Sequence, residues 1–343
     1  MSRRSSRRRH TPTEISADLQ PCLAATLDDL YDEAVNAYRA EVPARRPGSG
    51  LDRAETPQLL KQIGAVVEHG GRLVPTLAGV LFFARDPQRF YPSLTLTFLH
   101  LAGTEIAQQR GDEPLYLDNR EFRGRIPDIV EEAWGVLYSK MARRGVIDGV
   151  RRIEEPQYPP VSVREALVNA LGHRDYQREG SFVQVRLFPD RLEVQSPGGL
   201  AGGLTVDNLV YEQYTRNPYI MQLLEDYGYV ERRGVGIDQM VQAMRRANLP
   251  EPEFDDRGTS FWVTLRGDPA QSHRAVLVKL GLNDRQIAAI DVMREEGRLT
   301  NREYQEMYGV SERTALYDLK GLVEAGIALA VSSGRGRHYI LRD

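Results

Sequence analysis

Between residues 162 and 200 the spacing of apolar residues changes abruptly, and that change constrains everything around it. Val163, Ala166, Leu167, Ala170 and Leu171 recur at three- and four-residue intervals, the buried stripe of a helix over 162–172. Ser162 and Glu165 have the spacing of a capping box opening that helix. The period then drops to two. Val183, Val185 and Leu187 alternate with Gln184 and Arg186, Pro189-Asp190 turns, and Leu192 and Val194 alternate again, which predicts a β-hairpin. A glycine-rich loop (198–203), helices near 218–227 and 237–247 and a strand at 261–265 follow. A helix and a hairpin with one apolar face each must bury them against one another, so the expected class is α/β (α+β), a two-layer sandwich.

The flanking segments read as follows. Helical spacing is seen over 27–42, a loop over 43–50, a helix over 56–66 and a short buried helix or strand over 76–84. Leu94, Leu96 and Phe98 predict a strand, and residues 129–141 an amphipathic helix around Trp134. Beyond residue 281 the pattern becomes three short helices, opening near 283, 300 and 311, then strands at 328–331 and 337–341 around a tip. Thr300 and Glu303 form a second capping-box signal. Helix, helix, helix and a two-stranded wing is the plan of a winged helix-turn-helix. The expected organisation is a basic, unstructured tail (1–20), a mixed α/β segment (21–155), the sandwich (156–268), a linker (269–281) and the winged helix (282–343).

Composition removes several function classes. Forty-five basic against 48 acidic residues leave a net charge of −3, so any contact with nucleic acid must come from a local patch. A single cysteine, Cys22, excludes a disulfide framework and a cysteine-rich zinc site. The six histidines include His69, His100 and His273, scattered without metal-ligand spacing, and HEXXH is absent. No apolar run is long enough for a membrane span, and the arginines at 3, 4, 7, 8 and 9 precede no apolar stretch, so a cytoplasmic protein is expected. Of the four lysines, Lys61, Lys140, Lys279 and Lys320, none is followed by Ser or Thr. The Gly-Lys-Ser/Thr phosphate loop is therefore absent, and with it a P-loop helicase motor.

Glu165, Asn169 and His173 fall four residues apart, on one face of the predicted helix. An Asn offers a neutral oxygen to a hard cation, and a Glu can take the proton of an attacking water, which suits a nucleotide–magnesium site. Equally, Glu165 reads as the capping-box acid and Asn169 as a solvated helix residue. Downstream, Ser196-Pro197-Gly198-Gly199 ends the hairpin and Arg233-Gly234-Val235-Gly236 immediately precedes a helix. Glycines at such junctions let backbone N–H groups approach phosphates. His173, Arg174 and Asp175 either position phosphate and lid groups or cap the helix end. Trp134 and Trp262 read as core residues.

REALVNALGHRDY (164–176), FPDRLEVQSPGGL (188–200), RNP (216–218) and VERRGVGIDQM (230–240) together resemble the RecG-like C-terminal ATP-binding domain, a divergent relative of the GHKL ATPases. GRLVPTLAGVLFFARDPQRFYPS (71–93) matches the segment that precedes it in such proteins, so the resemblance spans roughly residues 10–266. It implies ATP and Mg2+ as cofactors, with Glu165 as general base and Asn169 as magnesium ligand. Gly198 would lie in the adenine-side loop and Gly234 and Gly236 at the phosphates. Arg216 and Asn217 would belong to the lid, with His173 and Asp175 nearby. Two positions depart from the GHKL pattern. Ser196 stands where an Asp usually bonds the adenine amine, and Gly172 where a second acid usually lies. Relatives commonly begin with an AlbA-like nucleic-acid-binding domain. This chain starts about where that domain would end, so a partner protein would supply it.

In the last segment, Arg313 and Lys320 fall on the third helix and Arg335, Arg337 and His338 on the wing, a set suited to DNA; dimerisation or protein contact is the alternative. Three functions follow. The first is an ATP-binding, DNA-binding regulator, as a homodimer, whose nucleotide state is coupled to the winged helix. The second is a slow Mg-dependent ATPase within a nucleic-acid-processing or defence assembly. The third is an interaction protein whose nucleotide site has decayed.

Overall fold

The structure is a computed structural model and describes residues 15–106, 116–148, 151–231, 235–268, 277–278, 280–331 and 337–342. The chain divides into two compact units, residues 1–267 and 268–343.

In the first unit, α1 (Asp32–Arg45) and α2 (Thr56–Gln62) precede a short hairpin of β1 (Val66–His69) and β2 (Arg72–Pro75), and α3 (Leu77–Phe83) follows at once. Every residue of α3 is buried, and Thr76 caps it by accepting from the Gly79 amide at 3.0 Å. Tyr38 of α1 is fully buried and donates its hydroxyl to Asp226 at 2.7 Å, which also takes Arg46 at 3.1 Å. Next come β3 (Leu96–Leu101), β4 (Tyr116–Phe122), α4 (Ile126–Lys140) and a separate β5–β6 hairpin (Arg143–Asp148 and Arg151–Pro156). The remaining elements are α5 (Pro160–Gly172), β7 (Val183–Leu187), β8 (Arg191–Pro197), α6 (Pro218–Asp226), α7 (Gly236–Arg246), β9 (Glu253–Asp256) and β10 (Ser260–Arg266).

Six of these strands make one mixed sheet in the order β4-β3-β7-β8-β10-β9, with β3 and β7 parallel and the other pairs antiparallel. Alternation divides its faces. Leu96, Phe98, Val185, Val194, Val263 and Leu265 join the core beneath α4, α5 and α7. Gln184, Arg186, Glu193 and Thr264 take the opposite register positions. The class is α+β, as the change of period predicts. Segments 21–155 and 156–268, separated in the sequence reading, share this sheet and one core.

Several elements depart from expectation. Residues 27–42 hold a 3-10 turn, Leu27–Asp29, before α1, which continues through Pro43 to Arg45 in place of the loop expected there. The helix expected over 56–66 stops at Gln62. Most relevant to the site, α5 begins at Pro160, so Ser162 lies inside it and donates to Met240 O of α7 at 3.1 Å. Ser162 and Glu165 therefore form no capping box. Trp262 is buried, but on the sheet's outer register, with the Arg186 and Arg257 guanidiniums 4.7 and 4.6 Å from its ring.

The second unit contains α8 (Asp284–Glu296), β11 (Leu299–Thr300), α9 (Asn301–Tyr308), α10 (Glu312–Glu324), β12 (Ala328–Val331) and β13 (His338–Leu341), with sheet order β11-β13-β12. The Thr300–Glu303 capping box forms as read, and Ser311 caps α10. Asp318, 1% exposed, accepts from Asn283, Arg285 and Tyr304 at 2.9–3.0 Å and so ties all three helices together. It is a structural acid, buried inside the unit and not part of its surface charge. Of the tail expected to be unstructured over 1–20, residues 1–14 lie outside the described residues, whereas Ala17–Leu19 form a 3-10 turn with Asp18 fully buried; residues 269–276 of the linker and the wing tip (332–336) also lie outside the described residues.

Gly79 tests the packing of α3. Alanine in a helix interior is normally favoured over glycine by roughly 1 kcal/mol. Here an added Cβ would overlap the Ala65 carbonyl in the segment entering β1. Overpacking costs about 1–3 kcal/mol and wins. Gly79→Ala is expected to lower the urea midpoint with an unchanged m-value.

Candidate functional site

Helix α5 packs on β8 of the sheet and against α7, and one of its faces lines a cavity of about 270 Å³. Glu165 and Asn169 share that face because they are one turn apart. Glu165 is 5% exposed, and the Asn169 amide donates to its Oε1 at 3.0 Å. Burial pushes the Glu165 carboxyl above its ordinary range, with Glu231 adding to the rise, while the Asn169 bond and Arg164 pull against it. Because Asn169 spends its Nδ2 on Glu165, its Oδ1 remains as an acceptor.

The opposing wall is backbone. At the head of α7, Gly236 lies so close to Glu165 that an added Cβ would fall inside the carboxylate. At the other end Gly198 turns with φ +93, and a Cβ there would meet Arg216 and Asp175. Both glycines are required by close approach. Ser196 lies below this turn and donates to Ala170 O of α5 at 2.7 Å, fixing the end of β8 to the helix. The glycine turn is held further by Asp256, whose carboxylate accepts from the Leu200 and Gly258 amides at 3.2 and 2.9 Å.

His173 ends α5 and lines the cavity. Desolvation and the nearby Arg216 lower it to about 4, so its imidazole is neutral at pH 7. Arg216 crosses from the segment just before α6, donating to Gly199 O at 2.7 Å and to His173 O at 3.4 Å. Asn217, fully buried, donates to Gly172 O and Arg174 O at 2.9 and 2.8 Å. Asp175 pairs with Arg178 at 3.2 Å and is not part of the lining. Asn217 and Asp175 therefore set the shape of the wall from behind it, whereas Glu165, Asn169, His173, Ser196, Gly198, Arg216 and Gly236 contribute surface. Gly234 lies outside the described residues.

The structure adds lining that the motifs do not mark. Arg164, Glu231 and Gln239 surround the Gly236 end, and Tyr214 joins from the segment after the glycine loop. Arg164 adjoins Glu165 in the quoted motif, so its position was available; the 200–215 segment has no periodicity to place Tyr214. Glu165, Glu212, Glu225 and Glu231 face only Arg164 and Arg216 among the described charged lining residues. In the second unit Arg313 and Lys320 are exposed on α10, one side of which also carries Tyr317 at 76% exposure. Lys320 pairs with Glu324 at 3.2 Å, Arg337 lies 5.5 Å from the Tyr339 ring, His338 begins β13, and Arg335 lies outside the described residues.

Known proteins agree with the fold. A family model described as "Putative ATP-dependent DNA helicase recG C-terminal" matches residues 180–265, from just before β7 into β10, and leaves α5 outside the match. A second model, a domain of unknown function, matches residues 7–96. Among solved structures, the DIP2311 protein from Corynebacterium diphtheriae is similar with a TM-score of 0.55 and 21% identity, covering 96% of this chain and 70% of that one. At that identity the likeness concerns the fold. No curated protein matches. The matched family is ATPase-like, which fits a nucleotide-binding role, and no helix among the described residues is long and apolar enough to cross a membrane.

The two titratable groups in the wall oppose each other. A carboxyl raised in the folded chain holds its proton longer than in the unfolded chain, so its contribution to stability falls as pH rises above 4.5. An imidazole lowered to about 4 loses stability as pH falls from 6.5 towards that value. Urea unfolding across pH 4–7.5 is expected to show Glu165→Gln gaining on the wild type at the upper end and His173→Gln gaining at the lower end.

Proposed function

We propose that the chain is an ATP-binding regulator of DNA, with magnesium-bound nucleotide in the α5 cavity. The observation that carries this reading is the buried Glu165–Asn169 pair facing two glycine turns across a cavity large enough for a ligand. The residues present suit the group. Asn169 Oδ1 is a hard, neutral ligand, and Gly236 leaves bare backbone where a phosphate must come close. Among the described lining residues four glutamates outnumber two arginines, which favours a triphosphate that enters together with a divalent cation. No cluster of three acidic, His or Cys ligands occurs among the described residues, and the cation would take most of its remaining ligands from phosphate and water. Magnesium, when bound, supplies charge neutralisation at the phosphates. Ser196, with its hydroxyl given to Ala170, offers no carboxylate to an adenine amine, so base recognition falls to the lid segment and Tyr214.

Hydrolysis is a second reading, favoured by the raised Glu165 carboxyl: a base poised nearer neutrality takes a proton from water more effectively. In both readings the second unit is a winged helix-turn-helix, α10 its recognition helix, with Arg313, Lys320 and Arg337 contacting DNA.

Calorimetric titration with a non-hydrolysable ATP analogue is expected to show binding that requires magnesium, weakened at least about tenfold by Asn169→Ala. Absence of binding to the wild type would leave the interaction-protein reading. Glu165→Ala is expected to abolish any phosphate release, a loss of about 10²–10⁴, while analogue binding survives. Binding of a labelled duplex should weaken steeply between 50 and 200 mM salt, by an amount set by the number of phosphate contacts. Arg313→Ala with Arg337→Ala should flatten that slope by about two contacts. A slope unchanged in the double variant would place the contact elsewhere.

A further inference from the structure

Resting on the nucleotide reading of the cavity, we propose that Arg164 is its terminal-phosphate receptor and makes the site select nucleoside triphosphates over diphosphates. The cavity extends along α5. From Arg164 to His173 the helix rises about 13 Å, which separates an Arg164–Glu165 end, facing Gly236, from an Ala170–His173 end, facing Ser196 and Gly198. The proton-accepting carboxyl and the reacting phosphate belong at the first of these ends, and the base at the second.

Charge makes Arg164 the group available at that end. Arg216, the other described arginine of the lining, spends its donors on the Gly199 and His173 carbonyls, 2.7 and 3.4 Å away, at the far end. Arg164 has no such engagement: its Nε is buried with no hydrogen-bond partner, and no ion pair holds its guanidinium among the described residues. A buried donor left unmade is costly, and the residue lines a cavity, so the natural completion is a ligand oxygen. Arg164 acts on Glu165 through its charge, but no ion pair to Glu165 or Glu231 is closed among the described residues, which leaves its donors for another anion. Guanidinium geometry matches two oxygens of one phosphate, and an arginine is the residue suited to that bidentate contact. An ADP molecule seated by its base and inner phosphates would leave Arg164 as it stands; ATP would satisfy it.

The test compares magnesium-ATP and magnesium-ADP binding by calorimetry to the full chain and to two variants. The wild type should bind ATP more tightly than ADP. Arg164→Ala should lose on the order of 10- to 100-fold in ATP affinity and leave ADP within about twofold, so the preference disappears. Arg164→Lys, which keeps the charge but not the fork, should fall between; it carries the test if circular dichroism shows the alanine variant unfolded. Equal loss for both nucleotides, or an unchanged ATP:ADP ratio in the variants, overturns the role of Arg164 and leaves the nucleotide site standing. A wild type that binds neither nucleotide overturns the site itself and this assignment with it.

Discussion

The carboxyl of Glu165 is the constraint on which the rest of the first unit turns. It is buried on a helix that is itself clamped, by Ser162 to the carbonyl of Met240 on one side and by Ala170 to the hydroxyl of Ser196 on the other. A carboxyl in that place needs a donor, and Asn169 supplies it from the next turn. It also needs room, and only glycine at 236 provides it. The spacing of the motif, the residue at the head of α7 and the seating of β8 against α5 are thus parts of one arrangement. Each would be arbitrary without the others.

Much of this was legible in the sequence, and the reason is periodicity. The stripe along α5 and the alternation of β7 and β8 come from residues buried on one side only, where the pattern is strongest. Capping signals held in the second unit, where Thr300 and Ser311 sit before apolar runs and each accepts from the amide three residues on. The same signal failed at Ser162, because two prolines, Pro159 and Pro160, open the helix earlier and the serine is used across to α7. The β1, β2 and β9 strands went unread because they are four residues each, and β4, β5 and β6 because charged residues break their alternation, as in Arg143-Arg144 and Arg151-Arg152. Asn217 and Asp175 were legible as part of the site but not as to role, since whether a polar group faces a cavity or braces its wall depends on neighbours dozens of residues away.

Electrostatics gives the cavity a character that the glycine motifs alone would not suggest. Phosphate-binding turns are usually thought of as positive. Here, among the described lining residues, carboxylates outnumber guanidiniums, and the histidine is kept neutral by burial and by Arg216. On the nucleotide reading proposed above, such a site favours an anion that arrives in company with a cation. Metal concentration, as much as nucleotide concentration, would then govern its occupancy.

The far wall of the cavity is anchored by a remote part of the chain. Asp18, fully buried, accepts from the amides of Tyr219 and Ile220 at 2.7 and 3.0 Å and so caps the start of α6, directly after Arg216 and Asn217. The region that homology delimits, 180–265, therefore does not contain all that shapes its own pocket: an excised or transplanted copy would carry the glycine turns yet leave behind both the helix that bears the acid and the aspartate that pins the opposite bank. The pocket is thus a product of the whole first unit, and its far bank stands only while that distant aspartate stays seated.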